Sequence, residues 1–138
     1  MSAELAVQVA LRARLIGTPA VVALVPAAAI LDTGQRPALF PAIILGESQA
    51  VDEGDSIARD RLRVYHTAHV WTRETSLQGV KRICGAIRAA VAVGRLDLGP
   101  GFHCADLRVS SMRQMRDPDG ETSHGVVTIE ALVKELAP

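Results

Sequence analysis

Hydrophobic and polar positions alternate most regularly in RLRVYHTAHVWTR, Arg61–Arg73. Leu62, Val64, His66, Ala68 and Val70 share one parity, and Arg63, Tyr65, Thr67, His69 and Trp71 share the other. A period of two sends the two sets to opposite faces of a strand. One face is the more apolar and the other is mixed. The pattern predicts a strand with helices on one side and a partly exposed or interface side opposite. The period changes in TSLQGVKRICGAIRAAVAVG, Thr75–Gly94. Leu77, Val80, Ile83, Cys84, Ile87 and Val91 recur at three and four, while Lys81, Arg82 and Arg88 lie off that stripe. This predicts an amphipathic helix, capped by Thr75 or Ser76 and stopped at Gly94.

The remaining segments are read in the same way. AELAVQVALRARLI, residues 3–16, is compatible with alternation and with a helical stripe. Its Ala, Leu, Gln and Arg content, with Ser2 as N-cap and Glu4 in the first turn, favours helix. Gly17-Thr18-Pro19 ends it, and Ala20–Leu24 adds a short helical turn. Residues 31–41 form a turn-rich connection, and Ala42–Glu47 a short buried strand. The polar stretch 48–60 reads as an exposed loop. FHCADLRVSSMRQMRD and HGVVTIEALVKEL read as two strands joined at Asp117-Pro118-Asp119-Gly120, a type I turn sequence. That turn sets the register, because a slip by one residue would move Val127, Ile129 and Ala131 to the wrong face. The order α, β, β, α, β, β predicts an α+β fold. Its sheet would be mainly antiparallel, of about four strands, with two main helices packed on one face. The length fits a single domain over residues 1–138.

Composition narrows what such a fold does. Aromatic residues are 3% of the chain, so the core is built from Ala, Val, Leu and Ile, and stacking platforms for bases are scarce. Fifteen basic residues balance fifteen acidic ones, which leaves no global field to draw in nucleic acid or anionic lipid. LIGTPAVVALVPAAAI, Leu15–Ile30, resembles a secretory h-region, but Glu4 and the helix-breaking Gly17, Pro19 and Pro26 assign it to the fold. Its uninterrupted apolar run is also far short of the roughly 20 residues a membrane helix needs. Cys84 falls on the helical stripe and reads as core. Cys104 starts a strand, and no zinc spacing links the two.

Candidate chemistry is sparse. His66 and His69 make an HxxH, but three positions apart on a strand they face opposite sides and do not converge on a metal. Ser110-Ser111 lacks a GxSxG context. Asp117 and Asp119 are explained by turn geometry. Gly99-Pro100-Gly101 lacks the lysine of a phosphate loop, and its proline removes a backbone donor. Arg59, Arg61, Arg63 and Arg73 form a basic set. Arg61, Arg63 and Arg73 share the parity of Tyr65 and Trp71, which suits either a solvated face or a protein interface.

Three stretches in order, FPAIILGES, HTAHVWTRETSLQGVKRICGAIRAAV and MRDPDGETSHGVVTIEALV, carry a family resemblance. The chain resembles the tail-completion, or tail-terminator, proteins of long-tailed phages and of the gene transfer agents derived from them. The polar, acidic loop Gln49–Asp60 departs from the commonest pattern of that family. The resemblance implies a non-enzymatic subunit that assembles, usually as a six-fold ring, on the head-proximal end of the tail tube. The ring stops tube polymerisation and meets the head connector. It implies the tail tube protein, the head–tail connector or adaptor and further copies of this chain as partners. It implies DNA only passing through the channel, no membrane and no cofactor. The place implied is the tail–head junction of a virion or gene-transfer-agent particle, made in the bacterial cytoplasm. Interface candidates under this reading are Arg61, Arg63, Trp71, Arg73, Arg116, Asp119 and His124, with Trp71 open between interface and core. A head-completion or adaptor protein below the portal is the alternative assembly role. A small enzyme using His66, His69 or Asp119 is the alternative of another class.

Overall fold

The structure, a computed structural model, describes residues 1–137. Helix α1 spans Ala3–Ile16 and the one-turn α2 spans Pro19–Val22. A short 3₁₀ turn at Ala27–Ala29 leads into strand β1, Ile30–Leu31. Strands β2 (Ala42–Asp52) and β3 (Arg61–Thr72) follow, then helix α3 (Gln78–Val91) and strands β4 (Phe102–Arg116) and β5 (Ser123–Glu135). The sheet order is β1-β2-β3-β5-β4. All neighbours are antiparallel except the parallel pair β1–β2. The expected α+β class is the observed one. The two-residue β1 adds a fifth strand that the turn-rich segment from residue 31 had hidden.

One face of the sheet carries the helices. Val64, Ala68 and Val70 of β3 and Val127, Ile129, Ala131 and Val133 of β5 point there, against Val7, Leu11 and Leu15 of α1 and Val80, Ile83, Cys84 and Ile87 of α3. Each fully buried Leu, Ile or Val contributes roughly 1.5–3 kcal/mol. The register is the one that puts Val127, Ile129 and Ala131 inward, opposite Ala68, His66 and Val64. Gly125 permits the close approach of α3. A Cβ there would lie 2.8 Å from both Cys84 Sγ and Val80 Cγ2. Cys84 and Cys104 are both buried free thiols, and burial pushes the Cys84 thiol up.

Three element boundaries differ from expectation. Strand β2 runs on to Asp52 rather than stopping at Glu47, so the loop is confined to 53–60. A bulge between Leu45 and Ser48 breaks the apolar alternation, and the strand beyond it pairs with Leu62–His66 while most of its side chains are exposed. Polar residues there mark a sheet edge and not a loop. Helix α3 begins at Gln78, with neither Thr75 nor Ser76 at the N-cap. The preceding bend is pinned from outside: Ser123 Oγ donates to the carbonyl of Glu74 at 2.8 Å, and Arg116 Nε to that of Thr75 at 3.0 Å. Ser76 Oγ does accept from the Gln78 amide at 3.1 Å. At the other end α3 stops at Ala92, before Gly94. The Arg14 guanidinium from α1 takes up the carbonyls of Ala90, Gly94 and Arg95 at 2.7–3.1 Å. A long-range cation thus supplies the cap, in keeping with the negative end of the helix dipole. At α1 the expected cap is present, with Ser2 Oγ accepting from the Leu5 amide at 3.2 Å. Among the described residues no helix is long and apolar enough to cross a membrane.

Candidate assembly surface

The sheet face away from the helices carries the polar chemistry. Its upper end is a stack. The Trp71 and His124 rings lie parallel, 4.0 Å between centroids and 6° apart, because these residues are cross-strand partners on β3 and β5. Arg36, from the connection between β1 and β2, places its guanidinium 5.0 Å above the indole. The same guanidinium reaches Asp119 at 2.6 Å, Asp117 at 3.2 Å and Thr122 Oγ1 at 3.2 Å. Asp119 also accepts from the Thr122 hydroxyl at 2.6 Å and from the amides of Glu121 and Thr122 at 2.9 Å each. Those bonds, with Arg36 alongside, lower its pKa to about 2, Thr122 first among the causes. The β4–β5 tip is therefore fastened to the β1–β2 connection by one arginine. Trp71 is 6% exposed, so its indole is covered by protein.

Next to the stack, the His124 and His69 rings meet nitrogen to nitrogen at 2.9 Å, and His69 Nε2 is 2.7 Å from Glu47 Oε1. Gly46 makes room, since a Cβ there would sit 2.9 Å from His69 Cδ2. Hydrogen bonding from His69 lowers the Glu47 carboxyl, while burial, followed by the nearby His69 charge, lowers His124. A cavity of about 490 Å³ opens between Arg36, Ile44, Glu47 and the two histidines.

The lower half of this face is an ion-pair network. Glu130, 5% exposed, is held by Arg108 Nε at 2.6 Å and faces Arg63 at 3.7 Å. Arg63 in turn grips Glu53 with two bonds, at 2.7 and 3.0 Å. That pairing lowers the Glu53 carboxyl and raises Arg63 further. Tyr65 lies beside Glu130, and burial, reinforced by that carboxylate, raises its phenol. Arg61 pairs with Asp55 at 2.9 Å and Arg59 with Asp52 at 3.1 Å.

The predicted residues therefore divide. Trp71, Asp119 and His124 come together in the stack, and Arg61 and Arg63 in the network. Arg73 lies past the end of β3, with its guanidinium 4.6 Å over the Phe40 ring. Arg116 is turned to the helix side, onto Thr75. Arg36, Glu47 and Glu130 were not picked out from the sequence. A lone arginine in a turn-rich stretch and two glutamates at strand positions carry no spacing signal.

The histidines of the HxxH face opposite sides. His66 is fully buried under the helices with no polar partner on either ring nitrogen, and burial lowers its pKa, which keeps it neutral. A group so enclosed cannot exchange protons with a substrate in solvent. His69 and Asp119 are committed to Glu47, His124, Arg36 and Thr122. Among the described residues no group of three His, Cys, Asp or Glu side chains is placed to hold a metal ion. The arrangement supports binding by stacking, ion pairs and hydrogen bonds.

No curated protein sequence matches the chain. Solved structures do. A chain from the virion of a native gene transfer agent particle superposes with a TM-score of 0.80 at 20% identity, over 97% of this chain and 99% of that one. The gp17 protein of bacteriophage SPP1 superposes with a TM-score of 0.59 at 19% identity, over 98% of this chain and 91% of that one. At such identities the likeness is one of fold. The sequence evidence is independent of it: the profile of the tail completion protein gp17 family matches residues 9–134. With that match running from the middle of α1 through α3 and the whole sheet but the last residue of β5, the chain belongs to the tail completion protein gp17 family.

Proposed function

We propose that this protein ends the tail: copies form a ring at the head-proximal end of the tail tube, stop its polymerisation and join it to the head connector. The observation that carries the reading is the family match over residues 9–134, which assigns a structural tail-completion role. The surface chemistry agrees with it. The face away from the helices is organised for contact, with its aromatic stack, fastened hairpin tip and buried carboxylate. A ring subunit needs complementary surfaces that repeat head to tail until the rotation closes. The interface residues proposed are Arg61, Arg63, Arg73, Arg116, Asp119 and His124, to which the geometry adds Arg36; Trp71, covered within the single chain, supports that surface from beneath. The balanced charge supports only weak, salt-sensitive, sequence-independent contact with DNA passing through the channel. The place of action is a virion or gene-transfer-agent particle.

Deletion of the gene followed by electron microscopy of the released particles tests this. The expected result is abnormally long tails detached from heads. Tails of normal length beside separate heads would assign the chain to the head side of the joint, as an adaptor. Intact particles would overturn both assembly roles.

A further inference from the structure

The sheet has two open edges. β4 is the outermost strand on one side and pairs only with β5. On the other side β1 covers Ile43 and Ile44 alone, so Ser48–Asp52 of β2 has, among the described residues, no strand on its outer flank. Unpaired backbone groups along such edges accept an added strand. Bulges between Cys104 and Asp106 and between Val109 and Ser111 interrupt β4, which leaves Ser111–Arg116 as its longest regular stretch. The two free stretches are similar in length.

Charge distinguishes the edges. Arg113 and Arg116 lie on the free stretch of β4, exposed. The flank of α3 turned toward β4 adds Arg88, which lines a crevice with Leu107 and Val109, and Lys81 two turns earlier on the same flank. At the opposite edge Glu47 and Asp52 lie on β2, Glu47 against His69 and Asp52 against Arg59, and Asp32 follows β1 in a crevice shared with Arg12 and with exposed Leu5 and Val9 of α1. The free stretch of β4 is basic and the one charge on the free stretch of β2 is Asp52, 3.1 Å from Arg59 and 40% exposed, so Arg113 of one copy can share that carboxylate of the next.

Strand direction agrees as well. Because β2, β3, β5 and β4 are antiparallel in succession, β4 runs opposite to β2. Copies related by rotation about an axis near the strand direction bring β4 antiparallel to the next β2. Ser111–Arg116 lies level with Thr67–Thr72, whereas Ser48–Asp52 lies level with Leu62–His66. Joining them staggers neighbouring copies, which tilts the strands to the ring axis, as closure of a sheet requires. β1 blocks the unstaggered alternative by occupying the upper part of the β2 edge.

We infer that copies of this chain join by adding Ser111–Arg116 of β4 antiparallel to Ser48–Asp52 of β2 in the next copy, so that one sheet runs from subunit to subunit. This rests on the ring reading above.

The test is site-directed cross-linking in assembled particles. Ser111→Cys and Gln49→Cys place thiols on the two stretches at exposed positions. Cys84 and Cys104 are each 1% exposed, and the unsubstituted chain gives the background. A short bismaleimide is expected to produce a ladder of linked species from the double variant and none from either single variant. Linked dimers from Ser111→Cys alone would place β4 against β4 and overturn the inference. A double variant present in particles yet unlinked would overturn it too, while leaving the ring role standing, since that role is judged by the deletion experiment. Should the double variant fail to enter particles, the two single variants are mixed with tails from the deletion strain. Linked heterodimers there support the contact, and their absence overturns it. Adding Arg113→Glu is expected to cut the linked product by about tenfold, the effect of one misplaced interface charge.

Discussion

The two faces of this sheet are made from the same strands by opposite chemistry. Thr128 and Ile129 are adjacent on β5. Ile129 is fully buried under the helices opposite His66, while Thr128 is half-buried opposite Thr67 on the far face. On the helix face, nearly every inward group is aliphatic, and the one polar ring, His66, is neutral and unpartnered. On the other face, groups are joined in chains: Arg36 to Asp117, Asp119 and Trp71, and Glu53 to Arg63 to Glu130 to Arg108. The first face supplies stability through area removed from water. The second buries Trp71 and Glu130 but leaves most of its groups half-buried, and its partly exposed ion pairs are individually worth little. Under the proposed ring role, its value lies in the shape and charge it offers a neighbour.

That contrast is open to direct attack, beginning with the largest effect. Ile129→Ala is expected to cost about 2–5 kcal/mol, as a fully buried branched side chain leaves a cavity, while Thr128→Ala next to it stays within about 0.5 kcal/mol. Urea denaturation of both variants measures the difference. Equal losses would mean that the far face packs as a second core. Arg36→Ala is expected to lower stability by only about 1 kcal/mol, because its side chain is 45% exposed. It also frees the hairpin tip from the β1–β2 connection, so the predicted signature is faster amide hydrogen exchange around Asp117–Thr122 with the core unchanged.

The pH dependence reads one histidine from each face. His66 and His124 both have folded pKa values below the ordinary 6.5, burial being the first cause in each. Above 6.5 both states are neutral and the stability is fully present. Below it the unfolded chain takes up protons that the folded one refuses, so stability falls as pH falls, by at most about 1.4 kcal/mol per pH unit for each histidine. The melting temperature is expected to drop between about pH 7 and pH 5, and His66→Leu to flatten that slope. A profile as steep in His66→Leu as in the parent would assign the loss to the other face. Asp119 acts lower on the scale. Its depressed pKa contributes stability above the ordinary 3.8, which is lost as pH falls toward about 2.

Much of this was legible in the chain. The alternation of Arg61–Arg73 and the three-and-four stripe of α3 each report one face of one element, and such local periods are set by backbone geometry alone. They determined the strand, the helix, the α+β class and the inward set Val127, Ile129 and Ala131. The opposite placement of His66 and His69 followed from parity in the same way. Ordered motifs pointed to the tail-completion family before any fold was known.

The tertiary structure decided what depends on distant residues. Whether Ser48–Asp52 is loop or strand turns on β3 offering hydrogen bonds, and no local composition encodes that. The end of α3 was set by Arg14, and the start by Ser123 and Arg116, all far away in sequence. Trp71 is covered because Arg36 arrives from another segment, and a side chain's exposure is a property of what lies over it. The sequence determined which residues share a face. Only the folding of distant segments onto one another decided which of those faces stayed open, and so which could meet a partner.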